Sequence, residues 1–149
     1  ERKNMTDIVS VAVTESGESD FSVRITTGRH SLTGDEPAEM GGKDLGPSPY
    51  QLLASALGEC TTMTVRWFAR QQKWPLDHVA TEVSHRKGEV EGRAGKVDIF
   101  NKTVTLRGDA LTEEQRNRLL DVAAKCPVHR TLENGAQIAT LMAPAPATA

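Results

Sequence analysis

The sequence lacks most of what would place it among membrane, fibrous or disulfide-stapled proteins. No apolar run approaches the roughly 18 residues of a membrane span. Two cysteines in 149 residues are too few for a disulfide scaffold. Neither charge sign dominates: 18 Lys and Arg face 20 Asp and Glu, for a formal charge of -2. That balance carries no electrostatic footprint for nucleic acid or an anionic membrane. No basic start followed by an apolar stretch and a cleavage site is present, so no secretory signal is expected. The motifs G-x-S-x-G, Walker A and G-x-G-x-x-G are absent, as are internal repeats and domain-splitting linkers. What remains is 38% hydrophobic and 26% charged, enough for both a core and a solvated surface. The length suits one domain, expected over residues 6–142. Residues 143–149, rich in Ala and Pro, read as a disordered tail. Glu1 to Met5 is set aside from fold reasoning.

Alternation predicts strands at Ile8 to Val13 and Phe21 to Thr27, with a short third from Gly28 to Leu32. Thr33 to Pro47, rich in Gly and Pro, reads as a long loop of the kind that often carries function. Ser48-Pro49-Tyr50-Gln51 is a helix start: Ser48 an N-cap, Pro49 the first helical residue, Gln51 the partner in a capping box. The helix is expected to run to about Lys73, where Trp74-Pro75 stops it. At 1.5 Å per residue it would span roughly 35 Å. Its apolar stripe is read as Leu53, Ala56/Leu57, Cys60, Met63/Thr64 and Trp67. Strands are expected at His78 to Arg86 and Val97 to Arg107. The second changes apolar phase near Asn101, the mark of a bulge or twist. Thr112 to Gln115 is a second capping box, opening a helix with Leu119, Val122, Ala123 and Cys126 on one stripe. Cys126 ends that helix and caps a short one beginning at Pro127. Ala136 to Met142 reads as a last strand. The order β-β-(β)-α-β-β-α-α-β defines an α+β fold with mostly antiparallel strands.

Cys60 and Cys126 both fall on inward helix stripes. Three readings stay open at this point. Two buried cysteines can be mere packing. They can be a redox pair, in which one thiolate becomes a sulfenic acid and the other condenses with it. Such a pair needs a lowered thiol pKa, from a helix N-terminus or a cation. Cys126 stands before a helix start; Cys60 needs a cation from another element, such as an Arg of the N-terminal strands. Lastly, Cys126 and His129 have a C-x-x-H spacing that Cys60 and His85 could complete as a zinc site.

The run from Gly46-Pro47-Ser48-Pro49 through Cys60 to Val65, then Lys73-Trp74-Pro75-Leu76 and Lys125-Cys126-Pro127-Val128-His129, resembles the OsmC/Ohr superfamily of osmotically inducible and organic hydroperoxide resistance proteins. The loop with Asp35-Glu36-Pro37 and Gly41 to Asp44 is similar to the OsmC-like branch. The likeness covers roughly Phe21 to Met142. It implies an intertwined homodimer, with sheets wrapped around long central helices. It also implies a cytoplasmic thiol peroxidase with no metal or organic cofactor. Its substrate would be an organic hydroperoxide and its reductant an external dithiol, of dihydrolipoyl type by family analogy. Carried over, Cys60 is the peroxidatic and Cys126 the resolving thiol. Leu57, Met63, Trp67 and Phe68 would favour an alkyl or fatty-acid tail. Peroxidase members flank the reactive Cys with an Arg and a Glu, the Glu near the start of its helix. Here that turn holds Tyr50 and Gln51 and no acid. Glu59 points about 100° away from Cys60 around the helix. Asp35 and Glu36 are possible substitutes, Arg24 and Arg29 the candidate cations, and Gln51 a neutral hydrogen-bonding partner. The alternative is a non-enzymatic module on the same fold, binding a lipophilic ligand with the cysteines as packing.

Overall fold

The structure, a computed structural model, describes residues 8–146. Glu1 to Met5, the first two residues of the expected domain and the last three of the expected tail lie outside that range. The described residues form two compact units, one of residues 8–56 and 83–101, the other of residues 57–82 and 102–146. The division falls within one long helix and two long strands.

In the first unit, β1 (Ala12–Glu15), β2 (Val23–Thr27) and β3 (His30–Gly34) form an antiparallel sheet in chain order. Ala12 faces Thr26 across β1–β2, and Thr27 faces His30 across β2–β3. The β2–β3 turn has only Gly28 and Arg29. Gly28 takes φ 56, which a two-residue hairpin requires at that position. β1 begins four residues later than the alternation suggested. Ile8 and Val9 are 84% and 86% exposed, so nothing among the described residues covers them. β2 begins at Val23 because Ser22 is held in the preceding turn, its hydroxyl 2.6 Å from that of Ser16. The loop after β3 is organised by the buried Asp35 carboxylate. It accepts from the Ser19 hydroxyl and from the backbone N–H groups of Glu36, Lys43 and Leu45 at 2.8–3.3 Å. Gly42 and Gly46 lie against backbone too closely for any side chain.

Helix α1 spans Pro49–Gln71. The capping box is present: Gln51 Oε1 accepts from the Ser48 N–H at 2.8 Å, and Ser48 Oγ from the Gln51 N–H at 3.4 Å. The other end is a left-handed cap. Lys73 takes φ 55, its N–H reaches Arg70 O, and the Trp74 N–H reaches Ala69 O.

In the second unit, α1 buries Leu57, Thr61, Val65 and Ala69 at helical spacing. This corrects the expected stripe. Leu53, Met63 and Trp67 are 37%, 62% and 61% exposed, and Cys60 is half-buried. The helix carries apolar residues on two faces, and periodicity alone does not tell which face its own chain covers. β4 (His78–Gly88) and β5 (Val97–Arg107) pair as a two-stranded sheet, of which residues 78–82 and 102–107 belong to this unit. α2 (Glu113–Ala123) carries its capping box, and α3 (Pro127–Asn134) follows. Val65, Ala69, Leu76, Val79, Leu111, Leu119 and Ala123 form the core, with Phe68, Trp74, Val104 and Leu106 against it. α2 ends at Ala123, three residues before Cys126, which corrects the expectation that Cys126 ends it. The expected strand over Ala136 to Met142 does not form, since residues 135–146 have no regular structure. Ile138, Leu141 and Met142 are 86–95% exposed, and a strand needs a partner edge for its backbone hydrogen bonds.

Candidate functional site

Three elements of the second unit bring the thiols together. Cys60 sits mid-way along α1. Cys126 is the N-cap residue of α3 and has no exposed surface. Both are reduced. Pro127 supplies the fixed φ of the first helical position and leaves the following N–H groups to face the sulfurs. One of them, from Val128, donates to Cys60 Sγ at 3.5 Å.

Thr61, wholly buried one residue after Cys60, links the pair to a third element. Its Oγ1 lies 3.4 Å from Cys126 Sγ and 2.8 Å from the Leu57 carbonyl. It also accepts from Lys102 Nζ at 3.0 Å. Lys102 comes from β5 and donates as well to the Ala123 carbonyl at the end of α2, at 2.6 Å. It points inward because of the phase change expected near Asn101. Val97 and Ile99 are half-buried, then Phe100, Lys102, Val104 and Leu106. The strand's shift of register therefore turns a cation toward the thiols.

These contacts tune the groups. Burial pushes the Cys126 thiol up. Hydrogen bonds from the Thr61 hydroxyl, the His129 backbone N–H and the Cys60 thiol, with the Lys102 charge, outweigh that and hold it below its ordinary value. Burial lowers Lys102, against the raising influence of Cys126, Cys60 and Glu133. His129 Nε2 lies 3.2 Å from Glu133 Oε1 one turn on, and His129 Nδ1 is buried without a partner among the described residues.

The other residues singled out by sequence fall as follows. Leu57 is buried in the second unit, and Met63 and Trp67 are exposed. Phe68 packs into the core edge-on to Trp74, at 5.5 Å between ring centroids. Arg24 is exposed on β2 and donates to Ser31 Oγ at 3.3 Å. Arg29 is exposed in the β2–β3 turn. Gln51 is a helix cap, and Asp35 is the anchor of its loop. Arg24, Arg29, Gln51 and Asp35 all belong to the first unit, as does His85. His85 Nε2 lies 2.8 Å from Asp98 Oδ1, and its ring stacks on Tyr50 at 4.4 Å. Among the described residues no group of three or more His, Cys, Asp or Glu side chains could hold a metal ion. Nor is any described helix long and apolar enough to cross a membrane. Sequence reasoning missed Thr61 and Lys102. The β5 phase change is the available signal for Lys102.

An α+β chain with two reduced cysteines meeting between a long helix and a short helix N-terminus is a dithiol protein of recognisable type. The family model for OsmC-like proteins matches residues 41–140. The chain belongs to the OsmC/Ohr superfamily. No curated protein is significantly similar to it in sequence. Among solved structures, it is similar to an OsmC-like protein from Mycoplasma pneumoniae. The TM-score there is 0.69 at 20% identity, covering 87% of this chain and 89% of that one. A Vibrio cholerae protein assigned to organic hydroperoxide resistance, with captopril bound in one of its active sites, gives 0.63 at 26% identity over 89% and 90%. An organic hydroperoxide resistance protein from Elizabethkingia anophelis gives 0.62 at 18% identity over 87% and 93%.

Proposed function

We propose that this chain is a thiol peroxidase that reduces organic hydroperoxides. The observation that carries the reading is the paired thiols, Cys60 half-buried and within reach of a peroxide, Cys126 buried beside it. Cys60 attacks the distal peroxide oxygen and an alcohol leaves. The resulting sulfenic acid condenses with Cys126 to a disulfide, releasing water. An external dithiol, of dihydrolipoyl type by family analogy, reduces the disulfide. No metal or organic cofactor takes part.

Met63 and Trp67 stand three and seven residues after Cys60, hence on its side of the helix. Their exposed apolar surface suits an alkyl or fatty-acid tail, and Leu57 and Phe68 back it from the interior. The same exposed face, with the unpaired apolar residues Ile138, Leu141 and Met142, supports a homodimer in which a second copy covers both. Within that dimer residues 6–142 act as one domain. A cytoplasmic setting suits two free thiols.

The test is consumption of an alkyl hydroperoxide by the reduced protein with a dithiol in excess. Cys60→Ser abolishes it; full consumption by that variant refutes the reading. One observation favours the second reading, a non-enzymatic module for a lipophilic ligand. The first turn of α1 holds no acid, and its Gln51 carbonyl is committed to the cap. Under that reading Cys60→Ala leaves ligand affinity unchanged and hydroperoxide leaves the thiols reduced.

A further inference from the structure

Closing a disulfide on Cys60 requires Cys126 to attack as a thiolate, the nucleophilic form of the side chain. Cys126 is wholly buried, and burial opposes that charge. Three elements surround its sulfur with groups that favour it. From α1 the Thr61 hydroxyl lies 3.4 Å from Cys126 Sγ. From β5 Lys102 Nζ donates into that same Thr61 oxygen at 3.0 Å. From α3, which Cys126 caps, the His129 backbone N–H donates to the sulfur. α2 contributes the Ala123 carbonyl, which accepts from Lys102 at 2.6 Å. Glu133, on α3, opposes the effect of burial on the Lys102 ammonium, and Cys60 is the titratable neighbour of Cys126.

Thr61 is built to change partners. Its proton goes to the Leu57 carbonyl at 2.8 Å or to Cys126 Sγ. The Leu57 carbonyl lies inside α1 and has the helix's own N–H as a second partner, so turning the hydroxyl to the sulfur leaves no carbonyl unpaired. Donation from Lys102 polarises the hydroxyl and strengthens it as a donor. The timing follows from charge. While Cys60 is the attacking thiolate, a second negative charge beside it is disfavoured. Once Cys60 is a sulfenic acid its sulfur is neutral, and Lys102 has Cys126 alone to act on.

We propose that Lys102, acting through Thr61, is the positioning cation of the closing step, making Cys126 the nucleophile once Cys60 has been oxidised. The inference deepens the peroxidase reading and takes the Cys60 sulfenic acid from it. In that step the Cys126 thiol gives up its proton and the Thr61 hydroxyl turns to the sulfur. The Cys126 sulfur attacks the Cys60 sulfur, the S–S bond forms and the S–O bond breaks. The departing hydroxide takes the proton that Cys126 gave up and leaves as water. In sum one sulfenic acid and one thiol give one disulfide and water: the Cys60 sulfur is reduced as the Cys126 sulfur is oxidised.

A plainer role is open to Lys102, since its ammonium also satisfies the Ala123 carbonyl and α2 has no basic residue in its last turn. That role alone changes stability and leaves the closing step untouched. The two separate in an experiment without hydroperoxide. Dipyridyl disulfide loads the half-buried Cys60 of the reduced protein at mildly acid pH as a mixed disulfide, releasing one pyridinethione. A jump to each test pH then starts closure: Cys126 attacks the Cys60 sulfur and expels the second pyridinethione, followed by absorbance. The closing rate rises with pH to a plateau as Cys126 ionises. Lys102→Gln moves the midpoint of that profile up by about one pH unit, so closure at pH 7 slows about tenfold. Lys102→Arg brings it back. Thr61→Val, nearly isosteric, gives the same upward shift and decides the case if Lys102→Gln does not fold. A midpoint that Lys102→Gln and Thr61→Val leave in place overturns the proposal. So does a second release that is missing from the unsubstituted protein or persists in Cys126→Ser. Failure of the peroxidase reading is seen elsewhere, as thiols that close in this assay yet stay reduced in an alkyl hydroperoxide.

Discussion

Replacing Thr61 with valine removes one hydroxyl and keeps the shape of a wholly buried side chain. The hydroxyl accepts from the Lys102 ammonium at 3.0 Å, donates toward Leu57 O at 2.8 Å and lies 3.4 Å from Cys126 Sγ. A hydrogen bond involving a charged group contributes roughly 1.5–3 kcal/mol net. The added methyl returns about 0.8 kcal/mol of apolar burial. The expected loss for Thr61→Val is therefore about 1–2 kcal/mol at neutral pH. For a chain of this size that lowers Tm by roughly 2–8 °C. The loss also depends on pH. Cys126 has its folded-state pKa held below the ordinary 9.0, so it adds stability above the unfolded value and loses it as pH falls through the folded one. Between the two values, stability rises with pH by at most about 1.4 kcal/mol per unit. Thr61→Val narrows that window and flattens the rise. The assay is urea unfolding under reducing conditions at several pH values. A variant as stable as the original protein, with the same pH slope, refutes the account of Thr61 as the link between Lys102 and Cys126.

Two further outcomes follow from the first unit. Burial pushes the Asp35 carboxyl up, but the Ser19 hydroxyl and the N–H groups of Lys43, Glu36 and Leu45 outweigh it and hold it below 3.8. Asp35 therefore stabilises the loop above that value and stops doing so as pH falls through its lowered pKa. Asp35→Asn should speed hydrogen exchange at the Lys43 and Leu45 amides at pH 7, and slow exchange there contradicts the anchor role. Gln51→Glu should keep the cap and place an acid at the helix N-terminus, gaining about 0.3–1 kcal/mol. Under the peroxidase reading it should also raise the peroxide rate, and a lower rate argues that the neutral residue is part of the site.

Much of this was legible because it is local. Both capping boxes, the start of α1, the phase change in β5 and the placement of Cys126 before Pro127 depend on residues a few positions apart. What sequence did not convey depends on what covers each surface. Leu53, Met63 and Trp67 repeat at helical spacing as regularly as Leu57, Thr61, Val65 and Ala69, yet only the second set packs within its own chain. Ala136 to Met142 is apolar enough for a strand, but a strand is made by its neighbour, and the described residues give it none. Nothing in the local sequence marks Lys102 as a functional residue. Only the shift of phase at Ile99 and Phe100, together with the meeting of β5, α1 and α2, turns it into the cation beside the thiols.

The most direct measurement of the central claim is intact-mass spectrometry of the reduced protein after brief exposure to about one equivalent of an alkyl hydroperoxide. The account predicts a fast loss of about two mass units as the disulfide closes, absent in Cys60→Ser and replaced by addition of one oxygen in Cys126→Ser. A mass unchanged over minutes contradicts it and leaves two inert thiols in a binding module.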